Sequence, residues 1–415
     1  MKYASHHALL QADNLEEPSR QSRNGAVSDL DSSQRGTADD GGGLKRRNLL
    51  KVSTLLGGGS LAHQVALPAS TPTQQPTQSG APGAGTSQLT VRDVLAKARE
   101  RLYPTCRVCA QCDGVACSGD SGGIAGIGSG MSFQNNFTAL QRVRLLMRCV
   151  HDVARADPST TILGHKISFP AVCAPMGPAG TRFGKGIPQA EWFDALVGGC
   201  VAAGTLGAVG DNLTYPIEDV KRNLAVIERY KGKALYNSKP IPNSTILQWL
   251  PQIEATGTAW LSIDVDSGPK SPAQLRELVQ AFKIPVVAKG IMTLDDALKC
   301  VDAGVAGIAV SNHGGRRLDH TPGTADVLPA IASRLKGKVA ILADGCVQSG
   351  VDVLKYLALG ADVVMVGRHL LRAAYGGGPD GVALFLNRMR AEFQSAMVLT
   401  GVPTVSKIDR SIIST

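Results

Sequence analysis

Aromatic residues are scarce in this chain: eight Phe, seven Tyr and three Trp among 415 residues. No basic stretch interleaves with rings in the way single-stranded nucleic acids require for stacking, and no nucleic-acid-binding motif occurs. The net charge of +9 is therefore not read as a nucleic-acid footprint, and no nucleic-acid partner is expected. Long apolar runs are missing too. A membrane-spanning helix needs about 20 successive apolar residues. The weakly apolar stretch Val52–Ala62 is shorter than that and carries three glycines, so no stable membrane span is expected. Acidic residues are fewer than basic ones, 34 against 43. The first 89 residues carry eight basic and seven acidic side chains, so nearly all of the excess lies in the remainder, a balance that suits anionic ligands.

Four regions follow from composition. Residues 1–43 are polar, rich in Ser, Asp and Gly, and read as a disordered lead. Residues 44–69 hold Lys45-Arg46-Arg47-Asn48-Leu49-Leu50-Lys51, the short apolar stretch, and small residues Ala66 and Ala69. That order is expected of a twin-arginine export signal, which would make the protein periplasmic or otherwise extracytoplasmic; the alternative is a basic patch in a disordered tail. Residues 70–89, rich in Thr, Pro, Gln and Gly, read as a flexible linker. Residues 90–415 suffice for one large domain with a substantial core.

That domain alternates short apolar runs with helical patterns. Strands are expected at Phe169–Ala174, Leu206–Gly210, Ala234–Tyr236, Trp260–Val265, Pro285–Ala288, Gly307–Ser311, Val339–Ala343 and Val363–Val366. Such runs suit strands buried on both faces. Helices are expected between them, as at Pro272–Phe282, Leu294–Ala303, Thr324–Leu335 and Gly350–Leu359, with a last one over Gly381–Leu399. Eight strand–helix units over about 250 residues point to an α/β fold, a (β/α)8 TIM barrel, whose active sites lie at the C-terminal strand ends. A doubly wound sheet is the rival. The polar residues at those ends are Asp264 and Asp266 after the fourth strand, Lys289 after the fifth, then Asn312, His313 and Arg316, then Asp344, then Arg368. Singly, an Asp there caps a helix and a Lys is solvated; eight from five strands imply a site. An imidazole and a guanidinium three residues apart suit proton abstraction beside a bound carboxylate.

These motifs, Ala288-Lys289-Gly290-Ile291, Ser311-Asn312-His313-Gly314-Gly315-Arg316, Asp344-Gly345 and Val366-Gly367-Arg368, resemble those of the FMN-dependent α-hydroxy acid oxidases and dehydrogenases, the family of glycolate oxidase and lactate oxidase. The resemblance runs from about Asp93 to Ile413. It implies that His313 takes the hydroxyl proton of a small 2-hydroxy acid while the Cα hydrogen passes to flavin N5 as hydride; a carbanion route uses the same residues. Asp266 would orient the imidazole and, as a neighbouring carboxylate, raise its pKa. Arg316 would hold the substrate carboxylate. Lys289 and Asp264 would face the flavin ring, and Met176, Gly177 and Gly210 its other edge. Ser311, His313 and Gly314 would also touch the cofactor. Asp344, Gly345, Cys346, Gln348, Gly367 and Arg368 would hold its ribityl and phosphate end. Oxygen or an electron carrier would reoxidise the flavin, and a homo-oligomer is implied.

Several positions depart from the family pattern. The loop after the fourth strand, Asp266 to Ser271, is too short to carry a second substrate arginine, leaving Lys270 or Arg317 as partial substitutes. The active-site tyrosines near the N-terminus and after the third strand have no counterpart. The phosphate turn, usually Asp-Gly-Gly-Val-Arg, reads Asp344-Gly345-Cys346-Val347-Gln348. In place of the first tyrosine lies a cysteine-rich segment, residues 106–117, with Cys106, Cys109, Cys112 and Cys117. Its spacing resembles a ferredoxin-type iron–sulfur run but is one residue longer. An iron–sulfur cluster, zinc, disulfides and inert thiols all stay open. Two rivals to the hydroxy acid reading follow: a flavin barrel with another substrate, and a non-catalytic flavin or metal redox protein.

Overall fold

Eight short parallel strands, β1 (Ala171–Cys173), β2 (Gly207–Val209), β3 (Ala234–Ser238), β4 (Leu261–Asp264), β5 (Val286–Ile291), β6 (Gly307–Val310), β7 (Ala340–Ala343) and β8 (Val363–Val366), pair in the order β1-β8-β7-β6-β5-β4-β3-β2. The seam between β1 and β2 is bridged by the Cys173 N–H, which donates to the Leu206 carbonyl at 3.0 Å. The sheet thus closes into a (β/α)8 barrel. The computed structural model describes residues 89–119, 124–177, 186–210 and 217–414. The chain divides into two units, Met1–Ala81 and Pro82–Thr415. The segments expected to be a disordered lead and an export signal, and all but the last residue of the expected linker, lie outside the described residues.

Every residue of β1, β2, β3, β4, β6 and β8 is buried, which is why their sequences are apolar runs rather than alternations. Two helices, α1 (Val91–Leu102) and α2 (Met131–Arg142), precede the barrel. Then α3 (Gln189–Ala202), α4 (Ile217–Arg229), α5 (Asn243–Gln248) with α6 (Leu250–Ala255), α7 (Pro272–Ala281), α8 (Leu294–Asp302), α9 (Thr324–Leu335), α10 (Gly350–Ala358) and α11 (Arg368–Leu399) follow successive strands. Ser271, Thr293 and Ser349 cap α7, α8 and α10 by accepting from the backbone N–H groups of Gln274, Asp296 and Asp352, each cap being worth about 1 kcal/mol. The few aromatics fill the core: Trp192, Trp260, Tyr236, Tyr356, Tyr375 and five phenylalanines are fully buried.

Two elements differ most from the sequence expectation. Strand β5 does not end at Ala288; it continues through Lys289 to Ile291 across a register shift against β6. Gly290, at φ +108°, makes the shift possible, because a Cβ there would sit 2.5 Å from the Cβ of Asp266. The last helix does not start at Gly381. It starts at Arg368, directly after β8, and only Gly378 (φ 58°, ψ −146°) leaves helical geometry before Pro379 restarts it. The extra turns align Arg368 and Arg372 on one helix face at the barrel mouth.

Candidate active site

The C-terminal ends of β4, β5 and β6 meet at one ionic cluster. Asp264 ends β4, and Asp266 follows in a 3-10 turn, Val265–Ser267. The Lys289 ammonium, 3% exposed, lies 3.1 Å from Asp264 Oδ1 and 3.9 Å from Asp266 Oδ2. Lys239 and Asn237 reach the other oxygen of Asp264 at 2.5 and 3.1 Å. Burial works against the charge on Lys289, yet Asp264 and Asp266 raise its pKa above the ordinary value. Burial likewise opposes ionisation of Asp264, but Lys289, His313 and Lys239 hold its carboxyl well below the usual range. The ligand atoms of Asp264, Asp266 and His313 lie close enough together for a metal ion. Lys289 already supplies the cation there, since its Nζ also lies 3.4 Å from His313 Nδ1.

His313 follows β6 with a left-handed backbone, φ 59°, a strained conformation for a residue with a side chain. Its own N–H donates to Ser311 Oγ at 3.0 Å, and Ser311 Oγ donates to Asp344 Oδ2 at 2.8 Å. The imidazole Nδ1 lies 3.0 and 3.1 Å from the two Asp266 oxygens. A carboxylate only accepts, so Nδ1 carries the hydrogen and Nε2 keeps its lone pair. The sequence expectation of a raised imidazole pKa is corrected: it falls to about 4, through burial first and Lys289 second, against the pull of Asp266. Burial opposes ionisation of Asp266 as well, but Lys289 and His313 hold its carboxyl below the ordinary value.

A cavity of about 900 Å³, part of it open to solvent, begins at Lys289, His313, Gly314 and Arg316 and runs along β7 and β8. Ala174, Pro175 and Met176 form one wall, and Asp344 to Gln348, Gly367 and Arg368 line its far end. Burial pushes the Asp344 carboxyl up to about 6, and its Oδ1 has no hydrogen-bond partner. Arg368 donates to the carbonyls of Ile124 (2.8 Å) and Gly314 (2.7 Å), with its guanidinium 3.7 Å above the Phe133 ring. A Cβ at Gly314 would lie 2.6 Å from Arg368 Nη1. The backbone there, at φ +67°, lies in the left-handed region that favours glycine.

Of the residues singled out from the sequence, Met176, Lys289, His313, Gly314, Arg316, Asp344, Gly345, Cys346, Gln348, Gly367 and Arg368 line this cavity. Asp264, Asp266 and Ser311 stand behind Lys289, His313 and Asp344 as their partners. Gly177 and Gly210 do not reach the cavity; a Cβ at Gly210 would collide with the backbone of Met176. Neither substitute for the second substrate arginine serves. Lys270 donates to the Ile241 carbonyl (2.8 Å) and Asn243 Oδ1 (2.6 Å), and Arg317 is exposed outside the cavity. Gln348, expected at the phosphate, has its amide clamped on the backbone of Cys112, at 3.1 Å in each direction. The cysteine-rich segment thereby becomes a wall of the cavity. Among the described residues its sulfurs form no metal-binding group of three, and none is in a disulfide. Arg372 is a residue that the sequence expectation misses. It donates to the Cys109 carbonyl at 3.3 Å, to Cys112 Sγ at 3.0 Å and to Cys106 Sγ at 3.7 Å. An arginine four residues after Arg368 at a helix start is the available signal.

A model of the family described as FMN-dependent dehydrogenase matches residues 124–272 and 268–415. The peroxisomal (S)-2-hydroxyacid oxidase of Arabidopsis thaliana is 31% identical over 326 residues, which span 68% of this chain and 88% of that protein. The L-lactate oxidase of Lacticaseibacillus rhamnosus is 31% identical over 342 residues, spanning 74% and 92%. A solved mandelate oxidase variant with a monooxide FMN adduct superposes with a TM-score of 0.60 at 28% identity, covering 70% of this chain and 93% of that one.

Proposed function

The chain belongs to the FMN-dependent dehydrogenase family, and from that membership we propose that it oxidises a small 2-hydroxy acid to the 2-oxo acid with FMN held in the barrel mouth. The observation that carries the reading is the neutral His313 imidazole, fixed by Asp266 and standing beside a buried lysine and a half-buried arginine on one cavity wall.

The cavity residues fit FMN. Lys289 offers a fixed positive charge to the ring end, and the unpartnered Asp344 oxygen offers a hydrogen bond partway along. The glycine-lined turns and Arg368 suit the phosphate. Bound there, FMN supplies the two-electron acceptor. The chain's own residues do the rest. Arg316 holds the substrate carboxylate through its planar fork. His313 accepts the substrate hydroxyl proton on Nε2, and the Nδ1–H bond to Asp266 keeps that lone pair directed outward and steadies the imidazolium. With Lys270 and Arg317 turned elsewhere, Arg316 bears the carboxylate without help from either.

An absorption spectrum of the purified protein tests the reading. A flavin spectrum that bleaches on anaerobic addition of L-lactate or glycolate supports it. A flavin spectrum unmoved by a panel of 2-hydroxy acids shifts the substrate to another class. Absence of flavin after FMN is supplied defeats it. Peroxide formation in air separates oxygen from a dedicated electron carrier as the acceptor.

The reading extends to the cell. Residues 44–69 would direct a folded, flavin-loaded protein through the twin-arginine route. Replacing Arg46 and Arg47 together by lysine should then retain the protein in the cytoplasm. Zinc or an iron–sulfur cluster at Cys106–Cys117 is disfavoured by the Arg372 guanidinium, a cation already seated between two of the sulfurs.

A further inference from the structure

Lys289 and Arg372 are both buried cations on the same cavity, but only one has a counter-charge. Lys289 faces two carboxylates. Arg372, 5% exposed, has no carboxylate within ion-pair distance among the described residues. Its hydrogen-bond partners are one carbonyl and two sulfurs, and its Nε has none. Arg368, one turn earlier, is in the same position, with two carbonyls and a ring face. Two guanidiniums therefore crowd one end of the cavity with no carboxylate in ion-pair contact among the described residues; Asp344, which lines the same end, acts on Arg368 only at longer range. A buried charge left uncompensated is costly, so this end is built for an anion that the chain does not itself supply.

The sulfurs do not fill that role. Burial raises the Cys112 thiol pKa despite the neighbouring Arg372 and Arg368, and a neutral S–H is a weak partner. Gln348 does not fill it either, since its amide is spent on the Cys112 backbone. The start of α11 adds the positive end of a long helix.

We propose that Arg372 is a second phosphate-binding guanidinium of this chain, acting with Arg368 on the phosphate monoester of the flavin, and that the cysteine-rich segment serves to seat it. The proposal rests on the flavin reading above. It gives two of the thiols a structural role. Cys106 and Cys112 hold one edge of the guanidinium, and the buried Nε is the donor left without a partner.

The test compares FMN with riboflavin, which is the same ring system without the phosphate. Full-length protein freed of flavin is titrated with each, following quenching of flavin fluorescence. Arg372→Met is expected to weaken FMN about 10- to 100-fold, the range for loss of one charge-assisted hydrogen-bonding group. Riboflavin affinity should not change, and its retention certifies the fold of the variant. Arg372→Lys keeps the charge but not the fork and should fall in between; it stands in if the methionine variant does not fold. Either variant, with riboflavin binding intact, that matches the wild-type FMN affinity overturns the proposal. Wild-type protein that binds both flavins equally overturns it while leaving the flavin reading in place. Wild-type protein that binds neither defeats that reading, and this one with it.

Discussion

The two ends of the cavity handle buried positive charge in opposite ways. At the β4–β5–β6 end, Lys289 is neutralised inside the protein by Asp264 and Asp266, and the ensemble depresses the His313 pKa without any ligand. At the β7–β8 end, Arg368 and Arg372 rest on carbonyls, sulfurs and a ring. A charge cluster complete in itself preorganises proton transfer, because nothing need rearrange when substrate arrives. An incomplete one stores its compensation for a ligand and turns that deficit into affinity.

The comparison can be broken at several points. The largest effect is expected from His313→Gln, which removes the proposed proton acceptor while leaving the far end untouched. The value of kcat should fall about 10²- to 10⁴-fold with flavin still bound, as steady-state assays and the visible spectrum of one sample will report. Next, Lys289→Met leaves Asp266 without its lysine and Asp264 with only the partly exposed Lys239. It should cost about 3–5 kcal/mol of stability in denaturant titrations. The counterpart, Arg372→Met in flavin-free protein, removes a charge that had no carboxylate partner and should leave stability within about 1 kcal/mol of wild type. Equal losses from the two substitutions would erase the distinction.

A third effect is one of pH. With its pKa near 4, His313 is neutral, and able to accept a proton, at every pH above that value. As pH falls through about 4 the imidazole protonates and kcat/KM should drop. An ordinary histidine would place that limb near 6.5. A profile of kcat/KM on the acid side decides, and a limb near 6.5 would mean that burial and Lys289 together do not depress the imidazole. The smallest effect is expected at an exposed ion pair. Arg142 pairs with Asp326 at 2.5 Å, but both side chains are substantially exposed. Arg142→Ala should change unfolding free energy by about 0.5 kcal/mol or less, which calibrates what an ion pair is worth when solvent screens it.

Much of the barrel can be read directly. Strands buried on both faces carry their signature in consecutive residues, so Val363–Val366 is delimited from sequence as the structure has it, and the other seven strands are located within a few residues. The loops after β6, β7 and β8 are legible as a candidate site because glycine turns sit beside charged residues in the same short segment. What escapes depends on contacts between distant segments. Phe133, Ile124 and Cys112 reach the cavity from before β1, and no local pattern announces where they dock. The imidazole pKa is misjudged from sequence because Asp266 lies within a readable motif, whereas the approach of Lys289 depends on Gly290 and the register shift in β5. Gln348 looks like a weakened ligand in sequence, and only its two bonds to Cys112 reveal a clamp.

That clamp joins residues 236 positions apart, which has a consequence in time. During synthesis the segment around Cys112 emerges early, but its docking partners, Gln348 and Arg372, are added near the end. The early segment must wait, undocked, while all eight strands and the helices between them are made, since closing so long a loop has no reward until its partners exist. The cavity wall is thus the last part of the mouth to be assembled. Until then the far end of the cavity is an open trough into which a long ligand can be laid sideways, rather than threaded through the finished opening.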